Sequence, residues 1–177
     1  MTPRPTQPTA TPIDNVLVEI ERALSKRFYY LALVTALSLP DICAALESSD
    51  GRSDTKRYKA WYKLHLGARS SMEHLSEDDC FSLRCGVVHQ GRFGLAGSQY
   101  SRVIFALPHN NNIFVGCISE DAYFVSIVEF CHEFTDAARQ WYVQKKNDPT
   151  VIANIENLVR LRPNGLAPYV VGTPLIA

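Results

Sequence analysis

Leu83-Arg84-Cys85-Gly86-Val87-Val88-His89-Gln90-Gly91 is the stretch on which the reading of the fold turns. Ser76 followed by Glu77-Asp78-Asp79 predicts the start of the helix that carries it: a hydroxyl cap, then acids where the helix dipole favours them. On a helix turning about 100° per residue, Cys80, Phe81, Val87 and Val88 fall within roughly 60° of Arg84. The guanidinium is therefore expected in the middle of an apolar face. Arginine is rarely buried without a partner, because removing its charge from water is costly. Arg84 thus needs a carboxylate, a subunit interface that leaves its head wet, or a bound anion.

The chain around this stretch has 177 residues, 46% apolar and 20% charged, which is enough for one domain with a proper core. Lysine plus arginine and aspartate plus glutamate balance at 18 each, so no global field holds a long nucleic acid, and any such contact must be local. Five cysteines, with no Cys-x-x-Cys pair and mostly apolar neighbours, read as reduced and cytoplasmic. The longest apolar run, Phe28 to Leu39, is too short to span a bilayer and reads as a buried core helix, so no membrane partner is expected. The Thr/Pro-rich N-terminus does not resemble a secretory signal.

Residues 1–12 are expected to form a disordered tail, since they hold almost nothing apolar. A single helical domain is expected over 13–162. Asp14 is read as the N-cap of a long helix to about Ser38, in which Val16, Leu17, Ile20, Leu24, Leu31 and Val34 keep a helical period. Pro40 is expected to break it, with Asp41 to Glu47 a short helix beyond. After a loop at 48–54, Thr55 to Leu66 forms a third helix whose Tyr58, Trp61, Tyr62 and His65 lie opposite Lys56, Lys59 and Lys63. Val103–Leu107 and Ile113–Ile118, around an asparagine-rich turn, are read as a β-hairpin at about 102–118. A helix from Ala122 to about Lys146 and another from Pro149 to about Leu161 follow, then an extended tail over 163–177. The expected fold is mainly α: a helical bundle with a short β-hairpin inserted before the penultimate long helix.

Which residues carry chemistry? His65, His74, His89, His109 and His132 show no spacing that converges on a metal, and neither a metal nor another cofactor is expected. Cys85 and His89, four apart, could touch as nucleophile and base. Arg84 with His89 is the sharper pair. A histidine moves a proton near neutral pH, and an arginine fork binds phosphate and stabilises charge growing in a transition state. These are two parts of metal-free RNA cleavage, in which a 2′-OH attacks the adjacent phosphate. Five residues set them about 140° apart on a straight helix, so they must converge at a frayed end near Gly91 or meet a symmetry mate across a dimer.

The stretch from Leu83 to Gly91 resembles the Arg-x4-6-His signature of the HEPN superfamily. The likeness extends from about residue 14 to 146, through Tyr29-Tyr30-Leu31, Leu39-Pro40-Asp41-Ile42-Cys43 to Glu47, Arg57-Tyr58 with Trp61, and Phe130-Cys131 with Trp141. The resemblance implies a helical, often dimeric protein from a group that includes metal-independent endoribonucleases of toxin-antitoxin, phage-defence and CRISPR systems. It implies Arg84 as the phosphate-binding catalytic residue and His89 as the general acid/base. Cys85 stands where such nucleases often carry Asn, Asp or Ser. Gly91 stands where some of the family's toxins carry a modified tyrosine, so that regulation is not expected here.

Asp41 and Glu47 are the candidate carboxylates for Arg84, with Cys85 and Gln90 as further supporting candidates. Lys56, Lys59, Lys63 and Arg92 are candidate RNA-contacting cations, the lysine stripe being more readily a solvated face. Expected partners are a second copy of the chain, RNA, and an antitoxin or other protein. Three readings stay open: a ribonuclease, a non-catalytic dimer that binds nucleotide or RNA, and a structural or partner-binding helical protein.

Overall fold

A computed structural model describes residues 11–69, 72–93, 100–109 and 115–177. Its centre is an apolar helix, α2 (Tyr29–Glu47), which touches α1 (Pro12–Ser25), α3 (Thr55–His65), α4 (Glu77–Gln90), α5 (Ile127–Lys145) and α6 (Pro149–Ile155). By length and composition α2 would also suffice to cross a membrane, and half of that stretch is buried inside the protein.

The continuity of α2 corrects the expected break at Pro40. A proline inside a helix removes one hydrogen bond and costs about 3 kcal/mol. Against that, Leu33, Leu37, Leu39, Cys43 and Leu46 are all buried along α2, and each large aliphatic side chain contributes about 1.5–3 kcal/mol on burial. Burial wins, and the helix runs through Pro40.

The expected single helix from Asp14 to Ser38 is likewise two helices. Thr11 is the N-cap of α1: its hydroxyl accepts from Asp14 N at 3.3 Å, and the Asp14 carboxylate accepts from Thr11 N at 2.9 Å. Thr11 and Pro12 therefore open the helix instead of ending the tail, whose residues 1–10 lie outside the described residues. At the other end Phe28 N donates to Ala23 O at 2.8 Å and Arg27 N to Leu24 O at 3.0 Å. This is a Schellman stop, with Arg27 at φ 61 in the left-handed position that glycine usually holds. The chain then turns into α2.

Three strands flank α5. β1 (Arg102–Ala106) pairs in parallel with β3 (Ala122–Ser126), and β2 (Ile118–Ser119) pairs antiparallel with β3. The expected hairpin at 102–118 is thus replaced by a β2–β3 hairpin, whose turn contains Glu120 at φ 55, and a crossover back to β1. The asparagine-rich residues 110–114 lie outside the described residues. Ala122–Ser126 is strand and not the start of the helix, because Tyr123 and Val125 point inward with period two, against Tyr100 and the core. Ser126 then caps α5, accepting from Glu129 N. α6 stops at Ile155, short of the expected end near Leu161, and beyond it the chain pairs into two nested ladders. β4 (Leu161–Arg162) pairs with β7 (Leu175–Ile176), enclosing β5 (Gly165–Leu166) and β6 (Val170–Val171).

Because Arg27 bears a Cβ where the Schellman stop favours glycine, Arg27→Gly is expected to stabilise the protein by about 0.5 kcal/mol, net of the extra freedom of glycine in the unfolded chain. Urea unfolding, read as a rise in midpoint at constant slope, measures this, and a fall would show that the arginine side chain contributes more than its backbone costs.

Candidate functional site: the Asp41–Arg84–His89 chain

The site is built on α4. Ser76 caps it, accepting from Asp79 N at 3.1 Å, while the Asp79 carboxylate accepts from Ser76 N at 3.1 Å. The acids of the first turn also tie α4 to α3: Lys59 pairs with Asp78, and Lys63 with Glu77 at 3.3 Å. Between the two helices the Phe81 ring packs edge-on against Tyr58 at 5.3 Å. At its far end α4 stops at Gly91, φ 62, and Gly91 N and Arg92 N both donate to Gly86 O. Tyr30 of α2 donates its hydroxyl to Val87 O at 3.3 Å. The helix is held at its start by α3 and toward its end by α2.

Between these anchors lies Arg84. Its Nη2 stands 2.7 Å from Asp41 Oδ2 of α2, with the two side chains only 22% and 19% exposed. The approach is close but off the direction of a hydrogen bond, so the contact is an ion pair. Arg84 Nη1 donates to His89 Nε2 at 2.8 Å and lies 4.0 Å from Cys85 Sγ. Arg84 Nε is buried without a partner. A guanidinium has no acceptor, so His89 Nε2 must offer its lone pair, which places the ring in the neutral form with its proton on Nδ1. The convergence that a straight helix seemed to forbid is made by the reach of the arginine side chain.

Glu47 does not join this chain. Six residues beyond Asp41 on one continuous helix, it stands about 120° away around the axis and pairs with Lys145 at 2.9 Å. Gln90 is exposed and its side chain makes no hydrogen bond among the described residues. The lysine stripe divides: Lys59 and Lys63 are engaged by α4, whereas Lys56 is exposed and unpaired among the described residues. Arg92 is exposed just past the end of α4.

In the sequence Tyr58 marks an inward face and, like Tyr30, belongs to a stretch of the resemblance, without a role at the site for either. Tyr58 is fully buried, and burial first, then the nearby Cys80 and Asp41, push its hydroxyl well above the usual tyrosine range, against an opposing pull from Arg84. It therefore stays neutral beside the ion pair, its hydroxyl donating to Leu37 O at 3.4 Å. Its signal was its place on the aromatic face of α3, which says burial without saying against what. Burial also raises the Cys43 thiol and pushes Cys80 and Cys131 up to about 12, so none of these three is a thiolate nucleophile. His65 is held below the usual histidine range by burial beside Trp61. Among the described residues no group of three or more His, Cys, Asp or Glu side chains converges to hold a metal ion.

No family model matches the chain, and neither the curated proteins nor the solved structures contain a match.

Removing one charge of a largely buried pair leaves the other uncompensated, whereas an exposed pair is worth little. Asp41→Asn is therefore expected to lower stability by about 2 kcal/mol, and Glu47→Gln by less than about 1 kcal/mol. Chemical denaturation of both variants decides it, and equal losses would mean that Asp41 does not neutralise Arg84.

Proposed function

We propose that the protein is a metal-independent endoribonuclease of HEPN type, cytoplasmic and acting as a homodimer in toxin-antitoxin or phage-defence biology, with a protein antitoxin as a further partner. One observation carries the reading: Arg84 Nη1 and His89 Nε2 meet at 2.8 Å near the end of α4, joining an anion-binding fork to a group that moves protons. The helical bundle and the Arg-x4-6-His signature support the HEPN assignment. Exposed Phe28 and Leu31 at the start of α2 support a second copy covering this face.

In the proposed reaction Arg84 holds the scissile phosphate. One His89 takes the proton of the ribose 2′-OH as its oxygen attacks phosphorus. The bond from phosphorus to the 5′-oxygen breaks, and the His89 of the other protomer, parted from its arginine and already protonated from solvent, gives that oxygen a proton. The products are a 2′,3′-cyclic phosphate and a 5′-hydroxyl. Asp41 positions the guanidinium and lowers its net charge, so phosphate must compete with a carboxylate for it.

That competition favours a second reading, a dimer that binds nucleotide or RNA without cutting it. Both Nη atoms of Arg84 already have protein partners, and the lone pair of His89 is engaged by the arginine instead of facing a substrate.

The ribonuclease reading predicts that the full chain cuts single-stranded oligoribonucleotides in EDTA, leaving cyclic phosphate ends. His89→Ala should slow cleavage by about 100-fold or more, the usual contribution of a general acid or base. Gel analysis of end-labelled RNA gives the readout. Binding without cleavage would select the second reading, and cleavage untouched by His89→Ala would exclude both the pair and the mechanism.

A further inference from the structure

Beside the site, a groove of about 550 Å³ opens between the start of α2 and β1, a size suited to a small ligand. Aromatic rings form much of its wall: Tyr30 and Phe93 are 54% and 46% exposed, and Phe105 packs against Phe93 at 5.6 Å and edge-on against Phe130 at 5.1 Å. Among the described lining residues the one charged side chain is Arg102, which is exposed and has no ion-pair partner among the described residues, and none of those lining residues is a carboxylate. Rings left open to solvent together with an unpaired guanidinium suit a ligand that is itself a flat ring bearing an anion. Tyr30 joins this groove to the site, since its ring lines the wall while its hydroxyl holds the Val87 carbonyl, one turn past Arg84 on the same helix.

We infer that the groove seats a nucleotide of single-stranded RNA, its base stacked on Tyr30 and Phe93 and its phosphate held by Arg102, next to the nucleotide whose phosphate Arg84 holds. The assignment rests on the ribonuclease reading for its substrate class. It explains how a chain with no net charge would hold RNA: by stacking and one local cation, with no broad basic field. Stacking of this kind tolerates any base, so the groove sets the register of the strand without selecting a sequence.

The test uses the full chain and a labelled hexanucleotide made entirely of 2′-deoxy residues, which binds but has no 2′-OH to attack, with fluorescence anisotropy as readout. Phe93→Ala should weaken binding about tenfold, within the range for loss of one stacking platform. Arg102→Ala should weaken it and flatten the salt dependence, and an abasic strand of equal length should bind wild type and Phe93→Ala alike. Both residues are exposed, and matching thermal midpoints will show that the variants fold. Unchanged affinity in both variants overturns the inference, and if the wild type still cuts RNA in a His89-dependent way, the ribonuclease reading survives that failure. Groove-dependent binding with no RNA cut by the wild type leaves the nucleotide seat standing and removes the ribonuclease. If Phe93→Ala instead dissociates a dimer without altering binding per protomer, the groove is a self-interface and the inference is wrong.

Discussion

A guanidinium on the inward side of a helix is the constraint around which this molecule is arranged. Arg84 cannot be left alone at 22% exposure, and the chain answers with one carboxylate, Asp41, and one imidazole, His89. Each answer has a structural condition. Asp41 has to face α4, which requires α2 to continue past Pro40 in unbroken helical phase. His89 has to lie within reach of a side chain nearly a half-turn away, which the length of arginine permits. The fold and the candidate chemistry therefore share one ion pair.

The helix that supplies Asp41 is also the one every other helix touches. Its apolar residues point almost all round, so it has no polar face to turn outward over most of its length and is stable only as a centre. This explains the two local rules that α2 and its approach violate. A proline stays inside the helix because the flanking burial outweighs one missing hydrogen bond. An arginine sits in a left-handed stop because the chain must reverse there to bring α1 against α2.

Much of this was legible in the sequence where local chemistry and tertiary packing agree. The Ser76 cap, the acids after it and Gly91 mark α4, and Tyr58, Trp61 and Tyr62 mark the buried face of α3. The readings that failed did so where a local signal was overruled or absent. Pro40 looked like a break because propensity carries no information on burial. The real break, at Arg27, has no glycine or proline to announce it. Ala122 to Ser126 looked helical because Phe124 falls in phase with Ile127, Val128 and Cys131, while the period-two burial of Tyr123 and Val125 depends on a parallel partner, β1, that lies far upstream. The choice between Asp41 and Glu47 for Arg84 followed from the same error: on a separate short helix either could have faced α4, and only a continuous α2 sends Glu47 toward Lys145.

The chemical meaning of the site depends on how tightly Arg84 and His89 are joined. An arginine that donates to Nε2 fixes the proton of the neutral ring on Nδ1, and the same lone pair is the one a general base needs. Under the proposed function, phosphate would have to part the pair by displacing the imidazole or the carboxylate. Long-range proton–nitrogen correlation of the His89 ring tests this most directly. A neutral ring protonated at Nδ1 is expected, with Nε2 shifting in Arg84→Gln and on addition of a deoxyoligonucleotide. A neutral ring protonated at Nε2, indifferent to Arg84→Gln, would contradict this by showing that the two side chains are not joined.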